Sequence, residues 1–134
     1  MILLVVLGLA AAAYAVYSRV SQDPPGNVQT TGAVLKSAYS DLCRTRSLAA
    51  SDAGEARALF YAKVHSPLHD IARRAQAANR SVAARMLEAK NDVEQAFNAS
   101  AAAAEIGAGL DLLLASTEEA LISIGVTTSS CVSP

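Results

Sequence analysis

Two histidines four residues apart are the nearest approach in this sequence to a metal-binding motif. His65 and His69 are followed directly by Asp70, and an i, i+4 pair on one helix face can place two imidazoles on one metal ion. Pro67 stands between the histidines and is expected to end one helix and start the next, which would separate the rings. We therefore favour solvent-exposed histidines at a helix end, with a metal-binding module using His65, His69 and Asp70 as an alternative.

The motifs of common enzyme classes do not occur in the chain. There is no Gly-x-Ser-x-Gly elbow, no glycine-rich phosphate loop and no Cys-x-x-Cys pair, so nucleophilic, nucleotide-dependent and dithiol chemistry lack their minimum parts. The net charge is −1 and no aromatic residues interleave with the arginines, which argues against nucleic-acid binding. We expect a protein that is not an enzyme, with no cofactor, no small-molecule substrate and no nucleic-acid partner.

Cys43 and Cys131 are the only cysteines in the chain. Residues 126–134 have the composition of a polar tail, which has little reason to stay ordered unless a covalent bond holds it. A disulfide closing so long a loop could stabilise the fold by about 3–5 kcal/mol. It would also place the domain in an oxidising compartment. The alternative is a buried free Cys43 and an incidental Cys131.

The N-terminal residues 1–20 favour a membrane anchor. No charge occurs from Ile2 to Tyr17, and twenty helical residues span about 30 Å, roughly the thickness of the bilayer hydrocarbon. A cleaved signal peptide is the first alternative, because Ala13-Tyr14-Ala15 has the form of a cleavage site, but no basic residue precedes the apolar run. A buried helix of a soluble domain is the second, although such a helix is normally amphipathic.

Small residues form a stripe along this predicted anchor. They recur at spacings of three and four, which would let another membrane helix approach closely. The stripe consists of Gly8, Ala11, Ala12 and Ala15. Arg19 and Lys36 follow the span and favour a cytosolic domain by the positive-inside rule, whereas the cysteine pair favours an extracytoplasmic one. We give the cysteines more weight and expect a single-pass protein of the cell membrane with an extracytoplasmic domain.

The remainder of the chain is predicted to form a Pro/Gly linker over 21–29, a helical domain over 30–125 and the tail. Alanine, leucine, arginine and glutamate dominate and no stretch alternates with period two, which excludes a sheet. Asp52 and Glu55 have the spacing of a helix start. Apolar residues from Leu68 to Phe97 recur by threes and fours, which predicts one long helix with a bundle or coiled-coil seam. Its exit is expected either near Asn98 or near Gly107. The predicted fold is all-α: one N-terminal transmembrane helix followed by a small antiparallel helical bundle or hairpin, with the last helix ending at Gly125.

Charge is divided unevenly along the helical domain. Residues 36–90 contain ten Lys or Arg and five Asp or Glu, whereas residues 91–134 contain six Asp or Glu and no basic residue. Folding the acidic last helix against the basic long helix would therefore pair opposite charges. Four arginines of the long helix are expected to form a face for an acidic partner surface: Arg73, Arg74, Arg80 and Arg85.

The layout of the whole chain resembles the small accessory subunits of actinobacterial membrane assemblies. The features that carry the likeness are the apolar span with Gly8 to Ala15, the Pro24-Pro25 linker and an Ala/Arg-rich helical domain with the late Cys131. The subunits that accompany the cytochrome bcc and cytochrome oxidase respiratory supercomplex are the most similar in layout. The resemblance implies a non-catalytic subunit lying between larger redox subunits, without haem or copper ligands of its own.

These features together predict an accessory or assembly subunit of a larger integral membrane complex, in contact with the lipid bilayer and with bigger subunits. Gly8, Ala12 and Ala15 would then contact partner transmembrane helices, and the arginine face would contact an acidic surface. A free-standing, membrane-anchored envelope protein that self-associates through its long helix is the alternative. The metal-binding module is a second alternative.

Overall fold

Residues 31–131, the part of the chain that the computed structural model describes, form an antiparallel bundle of four helical segments. The helices are α1 Gly32–Ala49, α2 Ala53–Leu59, α3 His65–Ala78, α4 Arg80–Asn98 and α5 Ala103–Ser123, and a π-helical turn, Phe60–Val64, joins α2 to α3. Since α2, this turn and α3 make one continuous segment, the chain runs up, down, up and down. The all-α class and the helical bundle are confirmed for these residues.

Several predictions concern residues outside the described range. They are the transmembrane helix 1–20, its stripe of Gly8, Ala11, Ala12 and Ala15, and the linker 21–29. Between Thr31 and Cys131, no helix combines the length and the hydropathy that a bilayer crossing requires.

The turn between α1 and α2 follows the predicted capping chemistry. Asp52 has an extended backbone, and its Oδ1 accepts a hydrogen bond from the Glu55 backbone N–H at 2.8 Å. Such a bond satisfies one of the N–H groups that a helix start leaves without an intrahelical partner. The cap orients the second segment so that Ala56, Phe60 and Val64 are buried against the rest of the bundle.

Pro67 does not divide the second segment into two helices, contrary to the expectation from sequence. Helix α3 begins at His65 and continues through Pro67 to Ala78. A proline within a helix cannot donate to the carbonyl four residues earlier, here that of Lys63, and its ring crowds that carbonyl. Lys63 lies in the π-helical turn, which ends at Val64, and the wider backbone of that turn accommodates this crowding.

The single long helix predicted from sequence is wrong, because the chain reverses at Asn79. This residue has extended backbone angles (φ −153°, ψ 100°), and its side chain accepts from the Val82 N–H at 3.3 Å. The predicted seam therefore folds onto itself inside one bundle. Its buried members are Leu68, Ile71, Ala75, Val82, Met86, Ala89, Val93, Ala96 and Phe97. A protein that self-associated through this seam would have to open its own core, so the structure does not support that route.

Helix α5 lies at the centre of the packing, in contact with α1, α3 and α4. Its interior side chains are fully buried and bulky, among them Ile106, Leu110, Leu113 and Leu121. The helix ends in a Schellman motif: Gly125 has φ 76°, and the Val126 N–H donates to the Leu121 carbonyl at 2.9 Å. Glycine adopts this left-handed conformation without a steric penalty, which confirms the predicted helix end at Gly125.

Helix α4 ends at Asn98, the first of the two predicted exits, although no glycine is available there. Ser100 takes the left-handed position with φ 51°. The Ala101 N–H donates to the Ala96 carbonyl at 3.0 Å, and the Ser100 N–H donates to the Phe97 carbonyl at 3.3 Å. A residue with a Cβ is strained in this conformation. Ser100 is therefore a strained position in the connection between α4 and α5.

Replacing Ser100 by glycine is therefore expected to stabilise the protein. Removing the Cβ relieves the left-handed backbone, and we expect a gain of roughly 1 kcal/mol in the free energy of unfolding. Urea unfolding of the full chain in detergent, followed by far-UV circular dichroism, measures the change. Ser100→Ala is the matched control, because it removes the hydroxyl and keeps the Cβ. Equal urea midpoints for the two variants would contradict the role assigned to the left-handed conformation.

Candidate functional site

The four arginines predicted to face a partner do not share one helix face. Arg73 and Arg74 lie on α3, whereas Arg80 and Arg85 lie on α4, on the other side of the reversal at Asn79. Arg73 Nη2 is 2.7 Å from Asp70 Oδ1, and Arg85 Nη2 is 2.6 Å from Glu119 Oε1. The guanidiniums of Arg73 and Arg85 are thus engaged within the bundle, which corrects the expected arginine face.

Ion pairs between the basic and acidic parts of the chain join α5 to two of its neighbours. Arg85 on α4 reaches Glu119, and Arg46 on α1 binds both carboxylate oxygens of Asp111, with Nε–Oδ1 at 2.6 Å and Nη2–Oδ2 at 2.9 Å. Two parallel hydrogen bonds between a guanidinium and a carboxylate restrict the relative orientation of the two groups and also strengthen the contact. These contacts follow the predicted charge division, and because they are exposed they determine helix register more than stability.

A disulfide between Cys43 and Cys131 joins the tail to α1, as predicted. The two Cα atoms are 5.4 Å apart, and the bond links positions separated by 88 residues. Between Gly125 and Cys131, Val126 packs against the core and Thr128 Oγ1 donates to Glu118 Oε1 at 3.4 Å. The tail is therefore held at three points along its length rather than by the disulfide alone.

An apolar stripe runs along the outward side of α5. At 100° per residue its members fall on one side of the helix, and all are exposed: Ala104, Ala108, Leu112, Ala115 and Ile122. Leu112 is 65% exposed and Ile122 is 61% exposed. Two charged residues, Asp111 and Glu119, are exposed on the same side of the helix. We call the five apolar residues the α5 outer stripe. The sequence pattern did not predict this stripe. Leucines occur on several sides of α5, and the exposed Leu112 stands in the sequence between the buried Leu110 and Leu113.

His65 and His69 lie side by side, contrary to the expectation that Pro67 would separate them. Their ring centroids are 5.0 Å apart at an interplanar angle of 76°, because α3 runs through the proline. Glu94 on α4 meets them from the facing helix: its Oε1 is 3.0 Å from His65 Nε2 and 2.7 Å from Lys90 Nζ. We call His65, His69, Lys90 and Glu94 the histidine cluster.

The histidine cluster is a poor match to a metal centre. Within residues 31–131, no three His, Cys, Asp or Glu side chains are grouped so that they could hold a metal ion. The ammonium of Lys90, only 3% exposed as a residue, binds the same oxygen of Glu94 that a cation would need. Asp70, the third candidate ligand from sequence, binds Arg73. Sequence reasoning missed Lys90 and Glu94, although their i, i+4 spacing beside the apolar residues of α4 indicates a pair.

Electrostatics in the histidine cluster disfavour a second positive charge. Partial burial lowers the pKa of His69, and the neighbouring Lys90 and His65 lower it further, while Glu94 and Asp70 oppose the shift. In contrast, burial raises the pKa of Tyr39, and Glu118 adds to that rise. His69 is thus held in its neutral form to a lower pH than a free imidazole.

No protein-family model, curated protein or solved structure matches this chain. The resemblance to respiratory accessory subunits therefore stays a prediction, and the geometry of residues 31–131 is the basis for assigning a function.

The disulfide can be tested directly. In full-length protein isolated without reductant, neither cysteine is expected to react with iodoacetamide after denaturation, and both should react once a reductant is added. Replacing both cysteines by serine is expected to cost about 2–5 kcal/mol of stability, because the unfolded chain gains conformational freedom. Intact-mass spectrometry and urea unfolding provide the two readouts. Full alkylation of denatured, unreduced protein would show that the bond is absent.

A further test concerns the pH dependence of stability. Since the pKa of His69 is lower in the folded chain than its ordinary value of about 6.5, His69 contributes stability above that value, which is lost as the pH falls through the folded pKa. On going from about pH 7.5 to about pH 5.5, the wild-type protein is expected to lose more thermal stability than His69→Gln. Differential scanning calorimetry at both pH values measures this. Equal losses in the two proteins would rule out His69 as the titrating group.

Proposed function

We propose that this protein is a membrane-tethered, non-catalytic subunit whose helical domain docks on a larger membrane complex and helps to assemble or stabilise it. The observation that carries the proposal is the α5 outer stripe, an apolar helix face that the rest of residues 31–131 leaves uncovered. Large exposed apolar side chains grouped on one side of a helix are typical of interaction sites. The partner is a subunit of the complex that presents an apolar helix surface to α5.

The stripe has the construction of a contact face. Leu112 and Ile122 project as large side chains, and the alanines at 108 and 115 leave shallow surface beside them. Small side chains allow a partner helix to approach closely, while the larger ones supply apolar area. Asp111 and Glu119 are neutralised by Arg46 and Arg85, so they do not bring unpaired charges to this face.

Two further features support a tethered, extracytoplasmic subunit. The apolar run of residues 2–17 precedes the bundle, and a lipid-embedded segment would hold the domain close to integral membrane partners. The Cys43–Cys131 disulfide is typical of proteins that mature in an oxidising compartment. A respiratory complex is the partner that the sequence resemblance favours.

The arginines have a smaller part in this proposal than the sequence suggested. Arg73 and Arg85 already bind carboxylates of the chain. The contact is therefore assigned to the apolar α5 outer stripe, and acidic partner surfaces are not required.

Copurification tests the docking. The full chain is expressed at native level with a C-terminal tag, solubilised in mild detergent and purified, and associated proteins are identified by mass spectrometry. We expect wild-type protein to retain subunits of one integral membrane complex. The double variant Leu112→Asp, Ile122→Asp should retain at least about tenfold less of them, because charged groups would be buried at the contact.

Val34→Asp is the matched control, because Val34 is also an exposed apolar residue, 47% accessible, but lies on α1. It should retain the partners. Circular dichroism of all three proteins checks that the bundle remains folded. The proposal fails if wild-type protein purifies only with itself, or if the double variant retains the same partners as the control.

A further inference from the structure

A groove runs between α1 and the tail, on a different side of α1 from the buried core. Its volume is about 810 Å³, within the range of small-molecule sites. One wall is the outer side of α1, with Lys36, Ser40, Arg44 and Ser47, and the other is the tail over residues 127–131. The disulfide joins the two walls, since Cys43 and Cys131 both line the groove.

The groove is cationic. Lys36 and Arg44 are the charged residues of its lining, to which the described chain contributes no Asp or Glu. Both are exposed, and neither forms an ion pair with any residue between Thr31 and Cys131. They are eight residues apart on one helix, so about 12 Å separates their Cα atoms. Glu118, an acid close to the tail, is engaged by Thr128 and Tyr39.

Hydroxyl groups fill the space between the two cations. The α1 wall contributes Ser37 and Ser40, and the tail contributes Thr127, Ser129 and Ser130. None of these five hydroxyls forms a hydrogen bond with the rest of the described chain, unlike Ser47, which donates to the Cys43 carbonyl at 3.2 Å. Each offers one donor and two acceptor positions to a ligand.

We propose that this groove binds a polyol that carries phosphate groups, with one phosphate at Arg44, a second at Lys36 and the polyol hydroxyls between them. The guanidinium of Arg44 can bind a phosphate through two parallel hydrogen bonds, and the ammonium of Lys36 acts as a point charge. Ser and Thr hydroxyls match the alternating donors and acceptors of the polyol. The site binds without catalysing a reaction, and it does not depend on whether the α5 outer stripe docks on a partner.

A polyol joined to phosphate occurs in free sugar phosphates, which can carry two phosphates, and in the phosphatidylglycerol headgroup, which carries one and would therefore occupy only one of the two cationic positions. Isothermal titration calorimetry of the full chain in dodecylmaltoside distinguishes them, with fructose 1,6-bisphosphate as the soluble probe and fructose and inorganic phosphate as partial probes. A second arm reconstitutes the chain in nanodiscs of phosphatidylcholine with or without phosphatidylglycerol. Backbone amide shifts of residues 36–47 and 127–131 are then followed by NMR.

Wild-type protein is expected to bind the bisphosphate saturably and more tightly than inorganic phosphate or fructose. If the lipid is the source, phosphatidylglycerol shifts the groove amides and the soluble bisphosphate competes for them. The variant Lys36→Gln, Arg44→Gln should bind at least about tenfold more weakly. Ser40→Ala should weaken binding of the bisphosphate and leave binding of inorganic phosphate unchanged. A purely electrostatic attraction would not produce this difference, because the substitution removes no charge.

The matched control is Lys63→Gln, Arg80→Gln, which removes the same charge. Both of these residues are exposed, lie outside the groove and form no ion pair within residues 31–131. This control should bind like wild type. Equal weakening of the two double variants would mean attraction by overall charge and would overturn the proposal, as would no saturable binding of the bisphosphate or of phosphatidylglycerol at millimolar concentrations.

Discussion

Close approach of α5 to its neighbours is the constraint on which the rest of this bundle depends. Gly107 faces the Arg46 guanidinium and Gly109 faces Val93: a Cβ built at either glycine would lie 3.3 Å from the opposing side chain. The sequence allows a helix exit at these glycines, but they lie inside the first turns of α5. Their helix-breaking tendency is tolerated because Val93 of α4 packs closely against Gly109 and the Arg46 guanidinium from α1 lies over Gly107.

An alanine-rich interior makes this closeness necessary. Buried alanines occur on every helix of the described bundle, among them Ala38, Ala56, Ala75, Ala83 and Ala120. Each removes little apolar area from water, so helices must come close before dispersion and burial become appreciable. The larger share falls to the leucines of α5 and to Phe60, whose ring centroid is 5.6 Å from that of Phe97. A core of this kind leaves little reserve of stability. A disulfide over 88 residues compensates for it, since the bond restricts the unfolded chain.

Structural features that depend on one residue type at one position could be predicted from the sequence. The Asp52 cap, the Gly125 helix end and the Cys43–Cys131 bond each depend on a residue type whose alternatives are few. The charge division likewise predicts that the last helix pairs with basic residues of the segment from Leu68 to Phe97, as Arg85 and Glu119 do, although it does not predict the pair of Asp111 with Arg46 on α1. Helix periodicity predicts the buried side chains from Leu68 to Phe97, because burial depends on spacings of three and four whether the helix is long or folded back.

The positions where the backbone departs from the commonest choice could not be predicted. Asn79 lies within a continuous apolar pattern, yet an asparagine side chain stabilises a helix start better than a helix interior. Pro67 favours a helix boundary, and the π-helical turn that accommodates it has no sequence signature of comparable strength. Ser100 occupies a left-handed position that is typical of glycine or asparagine. Pro67 and Ser100 thus adopt backbone positions that their residue types disfavour, whereas Asn79 follows its local preference against the apolar pattern around it.

The π-helical turn directly precedes the histidine cluster. A π turn shifts the residues after it around the helix relative to those before it. His65 meets Glu94 on α4, and the ring centroid of Tyr61, which lies within the turn, is 5.7 Å from that of His65. The buried ammonium of Lys90 requires a carboxylate, because an unpaired charge at that depth would be costly, and Glu94 supplies it. Helix α5 takes no part in this cluster. Its own polar contacts are the exposed ion pairs of Asp111 with Arg46 and of Glu119 with Arg85, and the buried Thr117 hydroxyl has no hydrogen-bond partner among the described residues.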